Sequence, residues 1–291
     1  MNRMNKLPAI GLFLIFLAAI AAHAQDLDAV EIKVHPVAGQ VYYIEGHGGN
    51  IGLFVGDDGV FLIDDQFAAL TDRIVDAIRT LSDKPIRFLV NTHMHPDHTG
   101  GNENFGNMGT LIFGHDNVRR QMAISEYTQE PPLVTFSEDI SFHINDETVH
   151  VFKTPDAHTN GDSYIHFTGS NVIHAGDVYR TTSYPYVDTT NGGSFLGTIE
   201  ATRLLANVAN EDTKIVPGHG VISSKSEVQV VAEMLSIIAD RVKAAIQDGK
   251  SLEEAQAAGL TTEFDGRWES GRRIGSAAAL IEAAYADMAN R

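Results

Sequence analysis

The segment Thr92-His93-Met94-His95-Pro96-Asp97-His98-Thr99-Gly100-Gly101 carries the strongest chemical signal in this sequence. It directly follows a continuous apolar run, which predicts a strand buried on both faces. In an extended backbone, side chains two residues apart point the same way, so we expect His93 and His95 to face one point. The turn that follows brings Asp97 and His98 back toward it. Three imidazoles and a carboxylate within six residues favour one or two metal ions such as zinc.

Strand-like and helix-like runs extend on both sides of this segment. One hairpin is predicted at Gly56-Asp57-Asp58-Gly59, because Asp and Gly tolerate positive φ. Apolar patterning predicts strands at 32–37, 41–44, 51–55, 60–63, 86–90, 140–144, 149–152, 164–167, 172–175 and 214–216. It predicts helices at 67–81, 116–129, 194–209, 227–247 and 277–288. No Pro-, Gly- or Ser-rich linker divides this series, so we expect one α/β domain with sheets inside and helices outside.

The composition narrows the class of protein. Hydrophobic residues make up 43% of the 291 residues and charged residues 20%, which predicts a sizeable core and excludes global disorder. The net charge of −17 repels phosphate backbones, so we expect no nucleic-acid partner. The chain has no cysteine, which excludes disulfides, thiolate metal ligands and a cysteine nucleophile. No Gly-x-Ser-x-Gly motif is present either, which favours water as the nucleophile.

The N-terminus predicts an export signal. Two basic residues precede an apolar run at 7–22, which ends in the small-residue pattern Ala22-His23-Ala24. The run of about 16 residues is shorter than the roughly 20 residues that span a bilayer. We therefore expect residues 1–24 to be a cleaved signal peptide and residues 25–291 to be a periplasmic or secreted domain without a membrane anchor. Loss of the two basic residues leaves that domain with a net charge of −19.

The histidine-rich segment resembles the active-site motif of the metallo-β-lactamase-fold hydrolase superfamily. Three further blocks match this family and occur in the family's order. They are Asp156-Ala157-His158-Thr159-Asn160-Gly161-Asp162, His174-Ala175-Gly176-Asp177 and Val216-Pro217-Gly218-His219-Gly220. The resemblance covers essentially all of residues 25–291. It implies a four-layer αβ/βα sandwich that forms a single domain.

The resemblance also implies a catalytic site with two Zn²⁺ ions per chain. The implied ligands are His93, His95 and His158 for one ion and Asp97, His98 and His219 for the other, with Asp177 bridging both. In such a site a hydroxide between the metals attacks a substrate carbonyl. Asp97 would be catalytic, because it can orient this nucleophile or carry its proton. The expected function is an exported zinc-dependent hydrolase that cleaves an amide or ester bond of a small molecule.

Two positions separate the alternatives within the family. Established metallo-β-lactamases generally have Cys or Ser at the position of Asp177, whereas glyoxalase-II-like thioesterases and lactonases use a bridging Asp. Arg180 lies where the cysteine-containing lactamases carry a lysine that binds a substrate carboxylate, which keeps β-lactam hydrolysis among the candidates. Sulfur dioxygenases share the motif. A non-catalytic zinc-binding protein is the alternative outside the enzymes, although metal storage needs no bridging carboxylate.

Loop residues are the remaining candidates for substrate binding. His47 and Asn50 belong to the loop Gly46-His47-Gly48-Gly49-Asn50, and in the family this region often borders the active site. Asn191 could polarise a substrate carbonyl. For all three residues, a plain turn is the alternative role.

Overall fold

The computed structural model describes residues 27–125 and 129–289. The predicted signal peptide, residues 1–24, lies outside the described residues. A short first unit contains a 3-10 turn at Leu27–Ala29, and the second unit, from Ile32 onward, contains both sheets. In the part of the chain that is described, no helix combines the length and the apolar composition needed to cross a membrane.

Seven strands form the first sheet, in the order β1-β2-β3-β4-β5-β6-β7. They are β1 (Lys33–Ala38), β2 (Val41–Glu45), β3 (Ile51–Gly56), β4 (Gly59–Ile63), β5 (Ile86–Asn91), β6 (Leu111–His115) and β7 (Val134–Phe136). Strands β1 to β4 pair antiparallel, and the predicted hairpin joins β3 to β4 with Gly56 opposite Gly59. Strands β4 to β7 pair parallel, which requires longer crossover connections between them.

Five strands form the second sheet, in the order β12-β11-β10-β9-β8. They are β8 (Asp139–Ile144), β9 (Glu147–Lys153), β10 (Ser163–Phe167), β11 (Val172–His174) and β12 (Lys214–Val216). β8 to β11 pair antiparallel, whereas β11 and β12 are parallel. The parallel pair therefore presents the carboxyl ends of two strands at one edge.

The two sheets pack face to face around an aromatic core. Phe61 of β4 and Phe142 of β8 meet edge to face, with ring centroids 5.0 Å apart. Strand β4 is buried along its whole length, and Phe61 and Ile63 belong to the cluster between the sheets. Because side chains alternate along a strand, Val60 and Leu62 face the other side of the sheet. A second layer must cover that side, since both residues are inaccessible to solvent.

Helices form the two outer layers. They are α1 (Thr71–Arg79), α2 (Pro96–Thr99), α3 (Asn102–Asn107), α4 (Asp116–Ile124), α5 (Phe195–Val208), α6 (Lys225–Gln247), α7 (Leu252–Ala257), α8 (Thr262–Trp268) and α9 (Ala277–Ala289). On the second sheet, Leu205 of α5, Leu235 of α6 and Leu280 of α9 pack in one cluster with Tyr164 and Ile215 of the strands. On the first sheet, α4 contacts β6 and β7.

The predicted four-layer αβ/βα sandwich is confirmed, and each predicted strand and helix is present. The predicted helix at 116–129 is shorter than expected, because Ser125 is extended and α4 ends at Ile124; residues 126–128 lie outside the described part. Strands β6 and β7 and the short helices α2, α3, α7 and α8 were not predicted. These elements are brief, so pairing and packing with distant segments stabilise them more than local sequence preference does.

Candidate metal centre

The predicted ligands lie just beyond the ends of strands. His93 and His95 follow β5, His158 lies between β9 and β10, Asp177 follows β11 and His219 follows β12. These strand ends meet at one edge of the sandwich. There the structure brings together three groups whose ligand atoms lie within 4.8 Å of one another. The groups are His93/His95/His158, His93/His98/Asp177 and Asp97/His98/His219.

His93, His95 and His158 bring three ring nitrogens to one point. The Nδ1 atom of His95 lies 3.1 Å from Nε2 of His93 and 2.8 Å from Nε2 of His158. Burial and the neighbouring imidazoles lower the pKa of His93 well below its usual range, and lower the pKa of His158 to about 3. Both rings are therefore neutral at neutral pH and can offer lone pairs to a cation.

Asp97, His98 and His219 form the second group, and Asp177 lies between the two groups. The Oδ2 atom of Asp97 lies 3.3 Å from Nε2 of His219. One carboxylate oxygen of Asp177 lies 3.3 Å from Nε2 of His98, and the other lies 3.3 Å from Nε2 of His219. The second oxygen is also 3.8 Å from Nε2 of His158. Asp177 can thus reach a cation in either group.

Charge is balanced within the second group. Burial would lower the pKa of His98, but the carboxylates of Asp97 and Asp177 raise it well above its usual range. Burial would raise the pKa of Asp177, but His219 and His98 hold it well below its usual range. The same carboxylates also raise the pKa of His219, so the second group favours the protonated forms of both rings when no metal is bound. A divalent cation would replace the protons of these rings.

Two glycines allow the backbone to approach the ligands closely. A Cβ atom on Gly218 would lie 2.0 Å from Oδ1 of Asp177, and one on Gly49 would lie 2.1 Å from the ring of His98. No larger residue fits at either position without movement of a ligand. This explains why glycine precedes His219 and why position 49, in the loop at 46–50, is also glycine.

Asp64 holds His98 from behind, a role that the sequence analysis did not predict. The Nδ1 atom of His98 donates to Oδ2 of Asp64 at 2.7 Å, and the Thr92 hydroxyl donates to the same oxygen at 2.8 Å. The Thr92 hydroxyl also lies 2.9 Å from Nδ1 of His93. Both rings therefore turn Nε2 toward the site. The position of Asp64 directly after β4, at a strand end, is the signal that could have identified it.

The loop between the 3-10 turn Gly176–Val178 and α5 anchors two further ligands. The Nδ1 atom of His158 donates to the carbonyl oxygen of Tyr186 at 2.6 Å, and Nε2 of His95 donates to Oδ2 of Asp188 at 2.8 Å. Neither partner was predicted, because the loop has no strand or helix pattern from which its position could be inferred.

The unpartnered polar atoms fit a metal. Among the described residues, Nε2 of His98 and Oδ1 of Asp177 are buried and make no hydrogen bond. Buried polar atoms are rarely left without partners, since each costs about 1–3 kcal/mol. Both atoms point into the site and belong to residue types that bind divalent cations. The residues present therefore fit a metal centre.

Arg180 faces the bridging carboxylate rather than the solvent. It is 7% exposed, and its Nη2 atom lies 3.3 Å from Oδ2 of Asp177. Its Nε atom has no hydrogen-bond partner among the described residues. The positive charge of Arg180 therefore lies next to the candidate ligand Asp177. Its binding of a substrate carboxylate stays a prediction.

The other predicted substrate contacts lie around the site in different settings. The side-chain amide of Asn50 is buried and donates to the carbonyl oxygens of Pro217 and Gly220, which holds the loop that carries His219. Asn191 donates to Asp188 at 2.7 Å. The ring of His47 lies 5.8 Å from that of Phe67, on the loop that touches His98 through Gly49. Substrate contact by these residues stays a prediction.

The chain belongs to the metallo-beta-lactamase superfamily. The family model of that description matches residues 44–219, which is more than half of the chain and includes all seven predicted ligands. No curated protein matches the chain.

Solved structures with the same fold include a metallo-beta-lactamase from Pontibacter korlensis. It is 20% identical, with a TM-score of 0.63, and the match covers 71% of this chain and 99% of that one. The DIM-1 metallo-beta-lactamase is 17% identical, with a TM-score of 0.61 and coverage of 70% and 98%. TMB-1 is 18% identical, with a TM-score of 0.59 and the same coverage. At these identities the likeness concerns the fold.

Proposed function

We propose that this chain is a dinuclear zinc hydrolase that cleaves an amide or ester bond of a small molecule, with β-lactams among its candidate substrates. The observation that carries the proposal is the position of Asp177. Its carboxylate lies within 3.3 Å of His98 and His219 and 3.8 Å from His158, so it can join two metal positions. A storage site needs no such bridge.

The accessible side of the site fits a catalytic role. The side chains of Asp97 and His219 are 29% and 22% exposed, whereas that of His98 is buried completely. A substrate would therefore approach from the side of Asp97. Divalent metals bound here would polarise the scissile carbonyl and lower the pKa of an attacking water. Asp97, whose carboxylate is partly exposed, would orient that water and accept its proton.

Thioester or lactone hydrolysis, as in glyoxalase-II-like thioesterases and lactonases, is the second candidate. Two observations favour it. The bridging residue is Asp177, and the Arg180 guanidinium is directed at this carboxylate, 3.3 Å away, instead of being displayed to a substrate carboxylate. Substrates without a negative charge next to the scissile bond suit this arrangement.

Export to the periplasm or outside the cell is part of the proposal. It is supported by the sequence of residues 1–24, with a basic start, an apolar run and a small-residue cleavage pattern.

The test compares substrates and variants in parallel. Zinc-loaded protein is assayed with a chromogenic cephalosporin, a lactone and a thioester, and zinc per chain is measured by elemental analysis. We expect turnover of at least one substrate and two zinc ions per chain. His158→Ala and Asp177→Ala should each abolish turnover and lower the zinc content below two. His143→Ala is the matched control, because this exposed ring on β8 contacts only Thr148 among the described hydrogen bonds.

Each outcome bears on a separate part of the proposal. If no substrate is turned over and chelation changes only thermal stability, the hydrolase proposal is wrong. If either ligand variant keeps full activity and two zinc ions, the ligand assignment is wrong. Oxidation of a persulfide in place of hydrolysis would favour a sulfur dioxygenase.

A further inference from the structure

The segment that follows Val178 and precedes α5 anchors two candidate ligands from one side. We call residues 181–194 the anchor loop. It supplies the Tyr186 carbonyl to His158 and the Asp188 carboxylate to His95. Both rings belong to the group His93/His95/His158, which we call the three-histidine group. The position of one loop therefore sets the orientation of two of the three ligands in that group.

The first end of the anchor loop is held by the C-terminal part of the chain. The Tyr184 side chain is buried completely; its hydroxyl donates to Oδ1 of Asp265 at 2.8 Å and lies 3.3 Å from the carbonyl oxygen of Thr261. The Tyr184 backbone N–H donates to the carbonyl oxygen of Trp268 at 2.8 Å. Tyr184 thus makes both side-chain and backbone bonds to α8 and the residue before it.

The far end of the anchor loop is held by α9. The Oδ2 atom of Asp287 accepts from the Ser194 hydroxyl at 2.7 Å and from the Leu196 backbone N–H at 3.0 Å. Ser194 is also the residue that caps the start of α5. One carboxylate of the C-terminal helix therefore fixes the point at which the loop becomes a helix.

These attachments lie outside the part of the chain that the family model matches. That match ends at His219, whereas the partners of the loop lie between Thr261 and Asp287. The long anchor loop contains only a 3-10 turn at Thr189–Asn191. A loop with so little regular structure depends on external contacts for a single conformation.

We propose that residues 261–287 act as a clamp that holds the anchor loop, so that Tyr184 and Asp287 are positioning residues for metal retention at the three-histidine group. The inference rests on the proposed function, because it requires that His95 and His158 bind a metal. Loss of the Tyr184 hydroxyl would loosen the loop near Tyr186 and Asp188. The two rings would then lose part of their fixed orientation.

The test is the substitution Tyr184→Phe, with Tyr285→Phe as the matched control. Both remove one hydroxyl from the same C-terminal packing region, but the Tyr285 hydroxyl donates to the carbonyl oxygen of Lys250 and does not touch the anchor loop. Zinc-loaded proteins are mixed with an excess of a chromogenic chelator, and the release of each zinc ion is followed. Cobalt-substituted proteins are examined by visible absorption, because that spectrum reports ligand geometry and not global stability.

We expect Tyr184→Phe to release one of the two zinc ions about fivefold faster than the wild type, a smaller effect than the roughly 10–100-fold typical for loss of a direct partner of a ligand. The release of the other ion and the behaviour of Tyr285→Phe should stay within about twofold of the wild type. In the background of Asp188→Asn, Tyr184→Phe should add less than it does in the wild type, because its route through Asp188 to His95 is already weakened and only the route through the Tyr186 carbonyl to His158 remains. The cobalt spectrum should change for Tyr184→Phe and stay unchanged for Tyr285→Phe.

The outcomes separate the two levels of the proposal. A wild-type protein that binds no zinc overturns the proposed function and the clamp together. A wild-type protein that holds two zinc ions, with equal release from Tyr184→Phe and Tyr285→Phe, overturns the clamp alone. Full additivity with Asp188→Asn does the same. If Tyr184→Phe does not fold, Asp265→Ala removes the acceptor of the same hydrogen bond at a half-buried position and is judged by the same release rates.

Discussion

Replacing Asp64 by asparagine should weaken the metal position at Asp97/His98/His219 more than the position at His93/His95/His158, because Asp64 contacts His98 directly and His93 only through Thr92. The Oδ2 atom of Asp64 accepts hydrogen bonds from both His98 and the Thr92 hydroxyl, and Oδ1 accepts from the Thr92 backbone N–H. Asparagine has the same shape but only one accepting oxygen. Its NH2 group must therefore take the position of one of the two carboxylate oxygens. Either His98 or Thr92 then loses a hydrogen-bond acceptor.

The size of the effect follows from the burial of these groups. The side chains of Asp64 and His98 are both inaccessible to solvent, so water cannot replace the lost hydrogen bond. A hydrogen bond to a charged group contributes about 1.5–3 kcal/mol. Without this hydrogen bond, zinc binding has to fix the orientation of His98 itself. If that costs the same free energy, zinc affinity at the Asp97/His98/His219 group falls roughly 10–100-fold.

The reciprocal variant is Asp188→Asn, which changes the partner of His95 in the other group. Zinc binding to both variants is measured by competition with a chelator of known affinity, after circular dichroism has confirmed that each protein is folded. We expect Asp64→Asn to weaken one of two binding steps more than the other, and Asp188→Asn to show the opposite preference. If both variants weaken the same step more, or neither weakens any step, the assignment of these carboxylates to separate metal positions is refuted.

Three further predictions concern the core and the buried titratable groups. Phe61→Ala should lower the free energy of unfolding in urea by about 3–5 kcal/mol, because its ring is buried between the sheets against Phe142; a loss below about 1 kcal/mol would contradict this packing. Zinc binding should weaken as pH falls and should release protons at pH 7, since the nearby carboxylates raise the pKa of His98. Calorimetry in two buffers of different ionisation enthalpy measures the number of protons released. Zinc binding without proton release would contradict a protonated His98 in the metal-free protein. Burial raises the pKa of Asp162 to about 7, so its protonated form favours the folded state. The free energy of unfolding of the wild type, measured in urea relative to that of Asp162→Asn, should therefore fall by up to about 1.4 kcal/mol per pH unit between pH 4 and 7 and then level off. A difference between the two proteins that stays the same at every pH would exclude this role.

The sequence was informative where the relevant pattern is local. Alternating and continuous apolar runs predicted ten of the twelve strands described, all except β6 and β7. The spacing of His93, His95, Asp97 and His98 predicted a metal-binding turn. In the structure His93 and His95 lie in one group with His158, and Asp97 and His98 lie in another with His219. Patterns of this kind can be detected because each depends on residues close together in the chain.

Sequence reasoning was weaker wherever a side chain's role depends on what lies behind it. The sequence did not reveal that the Asn50 amide holds the loop that carries His219. Substrate contact by Asn50 stays a prediction. The sequence also did not reveal that the Arg180 guanidinium lies against Asp177. Binding of a substrate carboxylate by Arg180 stays a prediction. A turn asparagine and a loop arginine carry no local pattern that reveals such partners.

The amino-acid sequence by itself determined the class of fold and the residues that meet at the candidate metal centre, because hydrophobic period and motif spacing are properties of short segments. Only the tertiary structure decided how these residues are oriented. Asp64 reaches His98 across 34 positions and Asp188 reaches His95 across 93. Contacts over such separations depend on how loops close onto the sheets, and the closure of a loop is set by packing at both of its ends.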